Sequence, residues 1–128
     1  MNVADDLRPL VLVADDDSDI LALVRFRLEQ DGYEVLSAPD GETALDLALA
    51  RPPDLALLDV MMPRLDGYEV TRRLRDHGPT ATIPIILLTA RVQEPDVQRG
   101  FEAGANDYVT KPFSPQALGE RVQAALGR

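Results

Sequence analysis

The run Asp54-Leu-Ala-Leu-Leu-Asp59-Val-Met-Met-Pro63 decides the fold. Four apolar or small residues lead straight into a carboxylate, and Pro63 forbids the strand from continuing. A run this short and this uniformly apolar reads as a strand buried on both faces, of the kind found inside parallel sheets. Such a strand delivers Asp59 to its carboxyl end, where open α/β sheets hold their ligands. Taken alone, Asp59 is equally readable as a residue that caps the turn. The rest of the chain separates the two readings.

Upstream, residues 9–14 (Pro-Leu-Val-Leu-Val-Ala) form a second wholly apolar, central strand that runs into Asp15-Asp16-Asp17-Ser18. The pattern then turns helical through Ile20, Leu21, Val24 and Leu28, with Asp17 or Ser18 as N-cap and Gly32 just past the end. Residues 33–38 make a strand whose apolar run is broken by Glu34 and Ser37, which places it at the sheet edge. Pro39-Asp40-Gly41 reads as a turn. A helix over 42–50 turns Ala44, Leu45, Ala48 and Leu49 inward, and Arg51-Pro52-Pro53 stops it.

Downstream of Asp59 comes a helix over 66–77 with Val70 and Leu74 buried, ended by Gly78-Pro79. A fourth strand covers 83–89. A helix runs from about Pro95 to Gly104, and a brief strand over 107–110 is closed by Lys111-Pro112. Ser114 caps a last helix over 115–126 that lines up Leu118, Val122 and Leu126. Five strands alternating with five helices imply an α/β fold: a doubly wound parallel sheet covered on both faces, with right-handed crossovers.

Composition narrows the function. The 128 residues suffice for one domain, and 45% hydrophobic content excludes a disordered chain. There is no cysteine for a disulfide or a thiolate metal site. No apolar run approaches the roughly 18 residues of a membrane span, and no leader opens the chain, so a soluble cytoplasmic protein is expected. A formal net charge of -9 argues against direct contact with nucleic acid or an anionic membrane, and for proteins or cations as partners.

In a parallel sheet all strand carboxyl ends share one edge. Asp15 and Asp16, Asp59, Thr89 and Lys111 therefore converge there. Carboxylates about 5 Å apart at an effective dielectric near 20 repel by roughly 3 kcal/mol per pair. Either some stay protonated or a cation neutralises them. Oxygen donors without His or Cys point to a hard ion, and a small open site favours magnesium. Lys111 supplies a flexible positive charge suited to a phosphoryl oxygen, and Thr89 a hydroxyl. Together these are the parts for phosphoryl transfer onto an aspartate.

The runs Val11-Leu-Val-Ala-Asp-Asp-Asp17, Leu57-Leu-Asp-Val-Met-Met-Pro63, Leu87-Leu-Thr-Ala-Arg91 and Gly104-Ala-Asn-Asp-Tyr-Val-Thr-Lys-Pro-Phe113 resemble the receiver domain of two-component response regulators, most of all receivers of winged-helix transcription factors. The likeness covers nearly the whole chain and keeps all four motifs in order. It implies a flavodoxin-like three-layer fold with strand order 2-1-3-4-5, one receiver domain over 1–128 and no output domain in this chain. It implies Asp59 as phosphoacceptor from a histidine kinase or a histidine phosphotransfer protein. Magnesium would sit on Asp16, Asp59 and the Met61 backbone carbonyl, with Asp15 reaching it through water. Lys111 would pair with Asp59 at rest and with the phosphoryl group afterwards. Thr89 would swing inward, Tyr108 would follow, and Lys111-Pro112 would be cis. The helix over 95–104, the fifth strand and the helix over 115–126 would form the switching face. There a weak dimer is expected on phosphorylation, with Asp107 and Arg121 able to supply a charged pair, while Val97 and Asn106 stand where those receivers usually carry charge. Met61 and Arg91 would flank the approach of hydrolytic water.

Each feature has a plainer reading: Asp17 as a cap, Tyr108 as a core aromatic, His77 as a helix-end cation, and Met61, Met62 and Phe101 as packing. An aspartate-nucleophile phosphatase of the haloacid dehalogenase type needs a second carboxylate where Met61 stands. A flavodoxin-like cofactor carrier needs a phosphate loop where three aspartates stand. The remaining alternative is a phosphorylation-independent receiver-like interaction module. The expected role is a signalling switch that catalyses only its own phosphorylation and dephosphorylation, not a turnover enzyme.

Overall fold

The computed structural model describes residues 8–90 and 93–128. Arg91, expected to flank the water approach, lies outside the described residues, as does most of the polar lead-in. The elements alternate as the apolar runs dictate: β1 (Leu10–Ala14), α1 (Ser18–Gln30), β2 (Glu34–Ala38), α2 (Gly41–Ala50), β3 (Leu55–Asp59), α3 (Gly67–Arg75), a 3-10 turn (Gly78–Thr80), β4 (Ile85–Thr89), α4 (Glu94–Ala103), β5 (Asp107–Thr110) and α5 (Pro115–Ala125). The strands pair in parallel in the order β2-β1-β3-β4-β5.

β1, β3 and β4 are buried along their whole length. Alternate side chains feed two cores, as a period of two requires. Leu12, Leu58, Ile85 and Leu87 pack toward α2 and α3, whereas Val11, Leu55, Leu57, Ile86 and Leu88 pack toward α1 and α5 through Val24, Leu28, Leu118 and Val122. Each such side chain contributes roughly 1.5–3 kcal/mol. The broken pattern of β2 does place it at an edge.

Of the two candidate caps for α1, Asp17 takes the role, accepting from the amides of Asp19 and Ile20. Other local expectations are corrected. Asp40 is a cap rather than a turn residue: its carboxylate accepts from the Thr43 amide and hydroxyl. Leu49 is 40% exposed, because the buried stripe of α2 is already filled by Ala44, Leu45 and Ala48. α3 ends at Arg75 with Asp76 as C-cap, so His77 is not in its last turn but precedes the 3-10 turn opened by Gly78 and Pro79.

The connection after β3 is folded tightly. Arg64 takes a left-handed φ of 73°. The Gly67 amide donates to the Val60 carbonyl, and a Cβ at Gly67 would collide with the Asp59 carbonyl oxygen. Glycine is thus required where α3 begins under the end of β3. Across the loop, a Cβ at Gly41 would collide with the Leu65 carbonyl, so α2 and the loop after Asp59 meet backbone to backbone.

Candidate functional site

β1 hands over to Asp15, whose amide donates to the Ala38 carbonyl of β2 at 3.1 Å. Its fully buried carboxylate accepts from the Asp17 amide at 2.9 Å and from Lys111 Nζ at 2.7 Å. Asp16 is exposed and Asp59, the last residue of β3, is buried. Asp15, Asp16 and Asp59 each bring a carboxylate oxygen within 4.8 Å of the others. Lys111 follows β5; its ammonium lies 3.3 Å from Asp59, while its amide donates to the Thr89 carbonyl at 2.8 Å. Lys111-Pro112 is cis. The expected pairing of Lys111 with Asp59 is therefore shared with, and led by, Asp15.

Asp59 carries the electrostatic tension. Burial first, and the Asp15 carboxylate second, push its pKa up to about 6, against the pull of Lys111 and of a 3.3 Å hydrogen bond from the Met61 amide. Burial also opposes the Lys111 charge, but the Asp15 hydrogen bond and both carboxylates outweigh it and hold the ammonium above its usual range. One ammonium faces three carboxylates. An all-oxygen donor set with uncompensated negative charge suits a hard divalent cation, so these residues fit magnesium.

Thr89 ends β4, one register step beyond the Leu88–Asp59 pairing, and is buried. Together with Val60, Tyr68, Leu87, Gly100 and Tyr108 it lines a cavity under α4. Tyr108 is half-buried, its ring edge-on to Phe101 at 5.9 Å. Two side chains expected as packing are not in the core: Met61, two residues past Asp59, is 56% exposed, and Phe101 is 45% exposed on α4.

The sequence reading missed an apolar shoulder beside Lys111, formed by Ile20, Leu23, Ala90, Pro112 and Phe113. Leu23 is 47% exposed, and Phe26, one turn further along α1, is 62% exposed. Their signal was available: both fall out of phase with the buried stripe of Val24 and Leu28.

The profile of the response regulator receiver domain matches residues 11–123. The chain belongs to this family. It is 48% identical over 118 residues to the alkaline phosphatase synthesis transcriptional regulatory protein PhoP of Bacillus subtilis strain 168, covering 92% of this chain and 48% of PhoP. It is 46% identical over 120 residues to the DNA-binding dual master transcriptional regulator RpaA of Synechocystis sp. PCC 6803, covering 94% of this chain and 50% of RpaA. Among solved structures it is similar to the receiver domain of the sensor histidine kinase PA1611 from Pseudomonas aeruginosa PAO1, which has a magnesium ion coordinated in its active-site cleft; the TM-score is 0.87 at 32% identity, covering 94% of this chain and 99% of that one. This receiver thus spans about half the length of the curated relatives it matches. Their names give no support to the expectation that the protein avoids nucleic acid. No described helix is long and apolar enough to cross a membrane.

Proposed function

We propose that this receiver accepts a phosphoryl group on Asp59 from a phosphohistidine of a histidine kinase or phosphotransfer protein, in the cytoplasm, and acts as a switch with no turnover beyond its own phosphate. The observation that carries the reading is the placement of Asp59 at the end of β3, with two more carboxylates within 4.8 Å and one lysine reaching both buried ones.

An Asp59 carboxylate oxygen forms the new bond to phosphorus while the histidine nitrogen leaves with the electron pair of the breaking bond. The elevated pKa of Asp59 marks a carboxylate that is poorly stabilised at rest and gains from a partner. Lys111 lies near enough to Asp59 to follow the charge onto the phosphoryl oxygens, and Thr89 offers its hydroxyl from the next strand. Asp16, Asp59 and the Met61 carbonyl would hold magnesium, with Asp15 acting through water. When bound, the ion supplies charge neutralisation for the transferring group. The apolar shoulder of Ile20, Leu23 and Phe113 beside Lys111 gives the donor protein a place to dock.

The signal then leaves through α4, β5 and α5. Thr89 and Tyr108 share one cavity wall, and the Lys111 amide is bonded to Thr89, so groups drawn to the phosphoryl act directly on that face.

Incubation with magnesium and acetyl phosphate should add one phosphoryl mass, acid-stable and base-labile, that is lost in Asp59→Asn and on chelation. Undiminished labelling of Asp59→Asn, by intact mass, overturns the assignment.

A further inference from the structure

The loop from Val60 to Asp66 contains a strained turn. The Leu65 amide donates to the Pro63 carbonyl at 2.9 Å, which closes a three-residue turn around Arg64. Arg64 takes a φ of 73° there, the one left-handed non-glycine backbone among the described residues. A turn of this size and hand is rare and costs any residue that carries a Cβ. The Arg64 side chain does little to offset that cost. Its guanidinium is exposed and lies 3.6 Å from Glu42 of α2, and an exposed pair at that distance contributes little. The turn is held by backbone instead. A Cβ at Gly41 would collide with the Leu65 carbonyl, so the first turn of α2 abuts the loop with no room between them.

Of these two partners α2 is the firmer. The Asp40 carboxylate caps it through the Thr43 amide at 2.7 Å and the Thr43 hydroxyl at 3.0 Å, and Ala44, Leu45 and Ala48 bury its inner stripe. The loop has little slack in which to absorb a shift. Pro63 has a ring-locked φ, Met62 is buried in the core, and the Met61 amide donates to the Asp59 carboxylate at 3.3 Å. At the far end the Gly67 amide is bonded to the Val60 carbonyl at 3.0 Å. The seat of Leu65 on α2 is thereby passed along the chain to Met61.

We propose that Gly41 is a positioning residue for the metal site: by seating Leu65 against α2 it fixes the strained turn at Arg64, and the fixed loop sets the preference of the site for magnesium over calcium. This rests on the reading above in which the Met61 carbonyl helps to hold magnesium. Magnesium demands near-ideal octahedral ligands at roughly 2.0–2.1 Å, whereas calcium accepts looser geometry at roughly 2.3–2.6 Å. A loop that is set in advance therefore favours the smaller ion, and a loop pushed off its seat gives up that advantage first.

Calorimetric titration of the whole chain with magnesium and with calcium at pH 7.5, far below the melting temperature, tests this. Gly41→Ala should bind magnesium about tenfold more weakly and calcium no more than about threefold more weakly, so that the ratio of the two affinities falls. A merely destabilised protein that is still folded would keep that ratio. Arg64→Gly leaves the seat intact but frees the turn, and should weaken magnesium by about threefold to fivefold. Gly78→Ala, where a Cβ would meet nothing within 4 Å, should match the wild type with both ions. If Gly41→Ala fails to fold, Arg64→Gly carries the test. The proposal is overturned if folded Gly41→Ala keeps the magnesium affinity of the wild type, if it loses both ions equally, or if Arg64→Gly binds magnesium unchanged. A wild type that binds neither ion overturns the magnesium reading and the proposal with it; a wild type that binds, with variants that bind alike, overturns the proposal alone.

Discussion

Lys111 leans on Asp15 rather than on Asp59: its Nζ lies 2.7 Å from Asp15 and 3.3 Å from Asp59. One cation is shared between two buried carboxylates, and Asp59 receives the smaller share. In Lys111→Met both lose their neutralising partner. The Asp59 midpoint should then rise above about 6, and the protein should lose roughly 2–3 kcal/mol at pH 7.5. Carboxyl-carbon NMR titration and urea unfolding measure the two effects. An Asp59 midpoint that stays put in Lys111→Met would show that the lysine serves Asp15 alone.

The raised Asp59 pKa has a definite sign in stability. The folded protein holds this proton more tightly than the unfolded chain, so Asp59 favours folding below the unfolded value near 3.8, and that contribution is lost as pH rises through about 6. Asp59→Asn removes the penalty and should stabilise the protein by about 1–2 kcal/mol at pH 7.5, an advantage that shrinks toward pH 4. Magnesium acts on the same charge and should raise the melting temperature of the wild type at pH 7.5 more than at pH 5. Asp16→Asn should blunt that rise, whereas Asp17→Asn, which keeps its cap, should not. Unfolding curves across this pH range, with magnesium or chelator, decide; an Asp59→Asn protein less stable at pH 7.5 contradicts the charge balance.

The course of the chain was legible because its apolar runs are short and cleanly bounded. Leu55 to Leu58 could only be a strand, and the parallel sheet then forced Asp15, Asp59, Thr89 and Lys111 to one edge. What escaped depends on contacts that pattern does not encode. Asp40 as a cap and Leu49 as an exposed residue follow from where α2 starts, set by the backbone contact between Gly41 and Leu65. The preference of Lys111 for Asp15 is a matter of tenths of an ångström. Arg75 looked like any basic residue near a helix end, and only the fold brings Gly104 and Asn106 around it.

Met61, two residues beyond Asp59, is 56% exposed, and its amide donates to the Asp59 carboxylate at 3.3 Å. Hydrolysis of an aspartyl phosphate needs water in line with the phosphorus, and a long thioether there hinders water more than a short amide does. The phosphoaspartate of the wild type should therefore outlast that of Met61→Asn by roughly threefold to tenfold, a change of about 1 kcal/mol in the barrier. Loss of the phosphoryl mass with time after donor removal gives both rates. Equal lifetimes, or a longer one in Met61→Asn, remove the shield.

Arg121 and Asp107 are already paired within one chain: a single terminal nitrogen of Arg121 lies 2.6 and 2.8 Å from the two Asp107 oxygens. Asn106, next to it, is committed to Arg75 and Ile85. A symmetric dimer through α4, β5 and α5 would have to exchange this internal pair for an intermolecular one. Exposed ion pairs are each worth about 0–1 kcal/mol, so the exchange gains little. Any net attraction must come from the exposed Phe101 and half-exposed Val97 beside it on α4. We therefore expect a monomer at rest and, with magnesium and beryllofluoride, a dimer dissociating at roughly 0.1 mM. Phe101→Ser should weaken it about tenfold or more, and Arg121→Asp, which sets like charges against Asp107, should abolish it. Sedimentation velocity over a concentration series reads all three proteins. A dimer indifferent to both substitutions would place the contact elsewhere, and a mimic-bound protein monomeric at millimolar concentration would leave this face to a different protein.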